Sequence, residues 1–254
     1  MFIDTHLHLS YKEGIVPEEF IEHAKKRGIN TLIVSCCSKE SIIEGLELIK
    51  KFDNLYLSVG FHPEEVSNIL DEDVFWLETI IKSSSKIVAV GEIGLDYYWE
   101  KDRRCEQVSL FRSQLELAKK LNLPVVIHSR EAIQETYDIL SEYSLRGVIH
   151  CYSGSIEMAE RFTSLGYYLG IGGVVTFSNS KLYQVVERVG LSHILLETDS
   201  PYLAPVPNRG KVNESSNIYY IAEHISKILS VSIEEVGRIT SDNARRVFDL
   251  PSDS

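Results

Sequence analysis

Near its start the chain reads Phe2-Ile-Asp-Thr-His-Leu-His8, and the spacing of His6 and His8 is the first chemistry it offers. Residues two apart on an extended strand share a face. Both imidazoles can therefore address one metal ion, with Asp4 beneath them as an outer-shell partner. Two polar residues closing a strand would look the same, so the pair takes its meaning from the rest of the chain. In Val88-Ala-Val-Gly-Glu-Ile-Gly94, Glu92 ends an apolar run between two glycines, where backbone can approach closely and a carboxylate is suited to bridging two cations. Asp96, just beyond, is a weaker candidate that also reads as a loop-structuring residue. Pro124-Val-Val-Ile-His-Ser-Arg130 and Gly147-Val-Ile-His-Cys-Tyr-Ser-Gly154 place His128 and His150 directly after apolar strands. A lone histidine there is usually a satisfied core residue; two at equivalent depth shift the balance toward ligands. Finally, Ile194-Leu-Leu-Glu-Thr-Asp-Ser-Pro201 puts Asp199 at a strand tip, with Glu197 on the same face as a further ligand or as a group that orients one.

Four histidines and two carboxylates (His6, His8, Glu92, His128, His150 and Asp199) thus converge from five strands. Imidazole with carboxylate suits zinc, manganese, nickel or iron better than calcium, and leaves magnesium open. Six ligands can serve two divalent ions, with Glu92 shared and positions left for water. Paired ions roughly 3.5–4 Å apart clamp the attacking and departing oxygens of phosphoester cleavage.

The elements that must position these residues alternate. Strands are expected at Phe2–Thr5, Thr31–Cys36, Leu55–Val59, Ile87–Gly91, Val125–His128, Gly147–His150, Tyr168–Ile171 and Ile194–Thr198. Between and after them, helical spacing predicts helices at Asp102–Leu121 and Ser216–Leu229, and a capped terminal helix at Thr240–Phe248; Pro207–Ser215 reads as an irregular loop. Eight strands alternating with helices predict an α/β fold, a (β/α)8 TIM barrel forming a single domain over residues 1–254, with a doubly wound open sheet as the competing topology. The barrel is preferred because the polar residues gather at the C-terminal strand ends, where barrel active sites are built.

Composition narrows the class. A chain of 254 residues with 44% apolar and 25% charged residues has ample core for one soluble domain. It shows no apolar run of membrane-spanning length and no signal-peptide pattern, and its four cysteines (Cys36, Cys37, Cys105, Cys151) form no C-x-x-C pair, which together predict a cytoplasmic protein without disulfides. The net charge of −11 argues against a general basic surface for gripping long nucleic acid. His23, His193 and His224 fall in helical or connecting segments and receive no role.

Seven motifs in order then resemble one family: Phe2-Ile-Asp-Thr-His-Leu-His8, Gly60-Phe-His-Pro63, Gly91-Glu-Ile-Gly-Leu-Asp-Tyr97, Pro124-Val-Val-Ile-His-Ser-Arg130, His150-Cys-Tyr-Ser-Gly154, Glu197-Thr-Asp-Ser-Pro-Tyr202 and Arg209-Gly-Lys-Val-Asn-Glu214. Over nearly its whole length the chain is similar to the TatD-type metal-dependent deoxyribonucleases of the amidohydrolase superfamily. The resemblance implies one ion held by His6, His8, Glu92 and Asp199 and a second by Glu92, His128 and His150. It also implies that His62 and Arg209 lie near the substrate phosphate; His62 equally suits a turn before Pro63, and loop support is the alternative for Arg209. Where the family often has Asn-Glu-Pro, this chain has Asn213-Glu214-Ser215, a change expected to loosen the loop that carries Arg209.

The expected activity is phosphodiester hydrolysis of DNA, as single strands or strand ends, in the manner of an exonuclease. Asp199 and Glu92 are the catalytic candidates, Asp199 also as proton acceptor, with Arg130 as a second cation beside Arg209. Tyr97-Tyr98-Trp99 reads either as a base-stacking surface or as an aromatic core cluster. The same centre could instead cleave an ester or amide, as in deacylation of aminoacyl-tRNA; a non-enzymatic scaffold would have no need of six converging ligands.

Overall fold

The computed structural model describes residues 2–11 and 15–251, and the other positions of the expected 1–254 domain lie outside the described residues. Eight strands run in consecutive order: β1 (Phe2–Leu7), β2 (Ile29–Cys36), β3 (Leu55–Val59), β4 (Ile87–Asp96), β5 (Val125–Arg130), β6 (Gly147–Ile149), β7 (Tyr168–Ile171) and β8 (Ile194–Leu196). Every neighbouring pair is parallel. The ring closes where the Asp199 N–H donates to the His6 carbonyl (3.0 Å) and the His8 N–H to the Ser200 carbonyl (2.7 Å), with Leu7 and Ser200 bridged in parallel. A doubly wound sheet has open edges and a reversal in strand order; this sheet has neither, so the barrel reading stands.

Helices cover the outside: α1 (Pro17–Lys26), α2 (Lys39–Lys51), α3 (Asp71–Ile81), α4 (Arg104–Leu121), α5 (Ile133–Leu140), α6 (Ile156–Ser164), α7 (Leu182–Val189), α8 (Ile218–Leu229) and α9 (Ile233–Phe248). Their apolar faces pack on outward-facing strand residues such as Leu32, Val34, Leu57, Val125 and Ile127. A second cluster joins Ile3, Ile33, Val126, Val148 and Leu195 to Ala244, Val247 and Phe248 of α9. It lies at the N-terminal end of the strands, where Arg146 Nε, just ahead of β6, donates to the Val247 carbonyl. The strand period of two explains the site. On the inner face Val126 is followed by His128, Val148 by His150, and Leu195 by Glu197 and Asp199. Apolar residues fill the lower barrel, and ionisable ones face its C-terminal mouth.

Several boundaries differ from expectation. Strand β4 continues five residues past Gly91, because its glycines allow close pairing with β5 instead of ending the strand. A Cβ on Gly94, which has φ +149, would lie 1.9 Å from the His128 carbonyl oxygen, and one on Gly91 would lie 2.6 Å from Val126 Cβ. Strands β6 and β8 stop earlier than predicted, ahead of Cys151 (φ 44) and Asp199 (φ 55), whose left-handed backbone ends the extended run. The helices expected from Asp102 and Ser216 open with single 3-10 turns, Lys101–Arg103 and Ser215–Asn217. The terminal helix starts at Ile233, seven residues before Thr240, and Ser232 caps it by accepting from the Glu235 N–H. Thr240 resembles a cap in sequence, yet its hydroxyl donates back to the Val236 carbonyl at 2.8 Å inside the helix.

Candidate metal centre

The six predicted ligands meet at the C-terminal mouth of the barrel. His6 Nε2 lies 3.3 Å from His8 Nε2, 3.3 Å from Glu92 Oε2 and 3.8 Å from Asp199 Oδ1, and His8 Nε2 lies 3.4 Å from the same Asp199 oxygen. On the other side of Glu92, Oε1 lies 2.7 Å from His128 Nδ1 and 3.8 Å from His150 Nε2. His150 Nε2 is also 3.7 Å from Asp199 Oδ1, and its ring stacks on His6 with centroids 3.5 Å apart. Glu92 thus presents one oxygen to the His6–His8 pair and the other to His128 and His150.

Glu92 and His6 are buried, while His8, His128 and Asp199 are partly open to the mouth. Burial disfavours ionisation of Glu92, yet the His150 and His6 charges and the hydrogen bonds from His128 and His6 outweigh it and hold this carboxyl well below its ordinary range. Asp199 is likewise held low, burial being outweighed by His150 and His8. Burial lowers His150 and His128, but carboxylates reverse it: Glu197, Glu92 and Asp199 push His150 up to about 10, and Asp96 and Glu92 push His128 up to about 9. Packing this many imidazoles and carboxylates together is stable when positive charge is shared among them. Protons supply it in the metal-free chain. The donor set, nitrogen from three or four imidazoles and oxygen from two carboxylates aimed at a common space, fits divalent transition ions equally well.

Outer groups orient this set. Asp96 Oδ2 lies 3.0 Å from His128 Nε2, and Asp96 Oδ1 accepts from the Tyr98 and Trp99 N–H groups, so it structures the loop and holds a ligand ring together. Glu197 is fully buried. Its Oε1 accepts from the Cys151 N–H and sits 3.1 Å from His150 Nδ1, at ion-pairing distance though off hydrogen-bond alignment, so it orients His150. Asp4 behaves differently from the expected partner of an imidazole. It accepts from the His6 backbone N–H, from Thr198 N–H and Oγ1, and from Ser215 Oγ, fastening β1 to the β8 loop while His6 Nδ1 stays unpartnered.

The substrate candidates are placed unequally. His62 caps the 3-10 turn Pro63–Glu65 by accepting the Glu64 N–H at Nδ1, and its Nε2 lies 3.7 Å from Glu92 Oε1, so the turn role and the site role coincide. Burial, and then the neighbouring His128 charge, lower it to about 3, so it enters the site as a neutral donor and not as a cation. Arg130 lines the site cleft, a hollow of about 780 Å³. Arg209 is exposed and lies over the Phe177 ring at 4.2 Å, and it is not among the residues lining that cleft. Ser215, standing where the family often has proline, ties its loop to β1. The hydroxyl of Ser215 donates to Asp4, and Asn213 Nδ2 donates to the Thr198 and Tyr202 carbonyls. Tyr98 and Trp99 are exposed at the mouth, which removes the aromatic-core reading for them. Cys37, given no role from the sequence, donates its thiol to Glu92 Oε2 at 3.8 Å and lies 3.4 Å from Ser35 Oγ. The period-two series Ile33, Ser35, Cys37 leads from the lower core to the mouth and would have found it.

Known proteins share this chain's family and fold. Residues 3–249 match the model of the family described as TatD related DNase. A metal-dependent hydrolase of Bacillus subtilis, YabD, is 38% identical over 98% of this chain and 100% of its own. Another metal-dependent hydrolase, YcfH of Escherichia coli, is 31% identical over 98% of this chain and 96% of its own. Among solved structures, the TatD homologue YjjV of Escherichia coli superposes with a TM-score of 0.91 at 30% identity, covering 98% of both chains.

Proposed function

Because this chain belongs to the TatD-related DNase family, a family of metal-dependent hydrolases, we propose that it hydrolyses phosphodiester bonds of DNA, at single strands or strand ends, with two divalent ions. The observation that carries this reading is the two-sided presentation of Glu92, one oxygen toward His6 and His8 and the other toward His128 and His150. His6, His8, Glu92 and Asp199 would hold one ion, and Glu92, His128 and His150 the other. Such ions supply Lewis acidity: they lower the pKa of a water and stabilise charge on the attacking and leaving oxygens.

The chain's own groups do the rest. Asp199 is ionised and partly open to the mouth, with its backbone N–H fixed on the His6 carbonyl, so its carboxylate can accept the proton of the attacking water and return it to the leaving oxygen. His62 accepts at Nδ1 and therefore carries its proton at Nε2, facing the site, where it donates to a phosphoryl oxygen. Arg130 brings positive charge to the rim.

Glu92→Ala tests the centre. It should fold, lose metal by elemental analysis, and lose DNA hydrolysis by at least about 100-fold, an interaction of the size that metal-assisted charge stabilisation contributes. Near-normal turnover would exclude the bridging role. Running DNA oligonucleotides beside an aminoacyl ester on the same metal-loaded enzyme tests the bond: cleavage of the ester alone would replace the phosphodiesterase reading.

A further inference from the structure

We propose that Trp99, backed by Tyr98 and Arg130, forms a stacking subsite at the cleft mouth that receives one nucleobase of a single strand. The inference rests on the phosphodiesterase reading and deepens it. Trp99 is 61% exposed and Tyr98 40% exposed. Exposed aromatic residues are common on protein surfaces, so exposure alone decides nothing.

Position is the first argument. Trp99 lines the same cleft as the metal-ligand candidates His8, His128 and Asp199, so a molecule reaching those groups passes its indole. Order is the second. The Tyr98 and Trp99 N–H groups both donate to Asp96 Oδ1 at 2.8 Å, while the other oxygen of Asp96 holds the His128 ring. One buried carboxylate therefore fixes the aromatic segment relative to the reacting centre, which limits the ordering cost when a ligand stacks there. Chemistry is the third. The Arg130 guanidinium lies 4.1 Å from the Tyr98 centroid and 5.6 Å from that of Trp99, and the two rings meet edge to face at 4.7 Å. A π-face with a cation beside it complements a flat heteroaromatic ring joined to an anion, which is one nucleotide of a strand. Stacking accepts any base, since every base has a π-face, so the subsite selects for unpaired strand and against sequence preference.

Tryptophan emission reports on the subsite directly, because the other tryptophan, Trp76, is half-buried and stacked on Phe61. Stopped-flow emission, and anisotropy of a 5′-labelled strand, are recorded before cleavage with the metal-loaded enzyme. A short oligodeoxythymidylate is compared with a deoxyribose-phosphate strand of equal length that lacks bases. The base-bearing strand should quench emission and bind roughly tenfold more tightly, the scale of one stacked base. In Trp99→Ala that preference should fall to within about twofold, and Trp99→Phe should restore most of it. Equal binding of the two strands by the native enzyme, or an unchanged preference in Trp99→Ala, overturns the subsite. Base-dependent quenching by a strand that is never cut would instead remove the phosphodiesterase reading and leave the subsite standing.

Discussion

At the scale of single residues, the centre is governed by carboxylates that hold imidazoles. Glu197 is the group beside His150 Nδ1 and the acceptor for the Cys151 N–H. Glu197→Gln preserves shape and removes charge. It should weaken metal binding by about 10- to 100-fold, the usual effect of losing a carboxylate behind a ligand histidine. Competition against a chromogenic chelator measures it, and unchanged affinity would show that Glu197 serves only the loop. The protonated rings give a second expectation. His128 and His150 are raised to about 9 and about 10 in the metal-free chain, so at pH 7 both carry protons that metal must displace. Apparent affinity should therefore rise as pH increases from 7 toward 9, with protons released on binding. Calorimetry in buffers of different ionisation enthalpy detects that release; affinity independent of pH would contradict it. By the same linkage, a raised histidine stabilises the metal-free fold below its unfolded pKa of about 6.5, and that contribution is lost as pH rises through the folded values. Glu92, His128, His150 and Asp199 were legible in the sequence because each stands at the end of an apolar run, and His6 and His8 because their spacing of two puts both on one face of a strand. Cys37 was legible only through the period-two series from Ile33, because a thiol after a strand by itself reads as core.

At the scale of elements, the strands were more legible than the ends of the helices. Leu55–Val59 and Tyr168–Ile171 match their predicted limits, since each is a short, mostly apolar run closed by a glycine, Gly60 and Gly172. The limits failed where a residue type has two uses. Glycine ends strands, but Gly91 and Gly94 instead let β4 and β5 approach; threonine caps helices, but Thr240 bonds within one. The tight approach at Gly94 gives a prediction about the site. Its φ of +149, and the 1.9 Å that would separate an added methyl from the His128 carbonyl oxygen, leave no room for any side chain. Gly94→Ala must push β4 away from β5 and so separate Glu92 and Asp96 from His128. The expected result is a loss of stability of several kcal/mol, about the scale of an overpacked core with added backbone strain, together with loss of metal affinity in whatever folds. Thermal melts with and without metal check both. A variant that keeps native stability and metal affinity would mean that the β4–β5 spacing does not set the centre.

For the whole molecule, fold and charge pull toward a small footprint. No helix among the described residues is long and apolar enough to cross a membrane, and the chain carries a net charge of −11. The charge is not distributed to spare the cleft. Arg130 is the one lysine or arginine among the described residues that line it, and Glu40, Glu44, Glu64 and Glu65 line it besides the metal-site carboxylates. A polyanion threaded through such a mouth would meet repulsion over most of its length. On the proposed function, attraction would be confined to the metal centre and the Arg130 lip, which favours a strand end over a duplex track. Salt dependence measures this, because each neutralised phosphate of a single strand adds about −0.7 to the slope of log affinity against log salt. The native slope should therefore be shallow, no steeper than about −2, and Arg130→Gln should reduce its magnitude by about 0.7. A slope of about −5 would require a cationic track elsewhere on the surface, and an unchanged slope in Arg130→Gln would remove that side chain from the phosphate path. Metal loading should matter more than any surface charge, since divalent ions would replace the protons shared among the inward carboxylates and imidazoles with cationic positions that can take a phosphate oxygen directly.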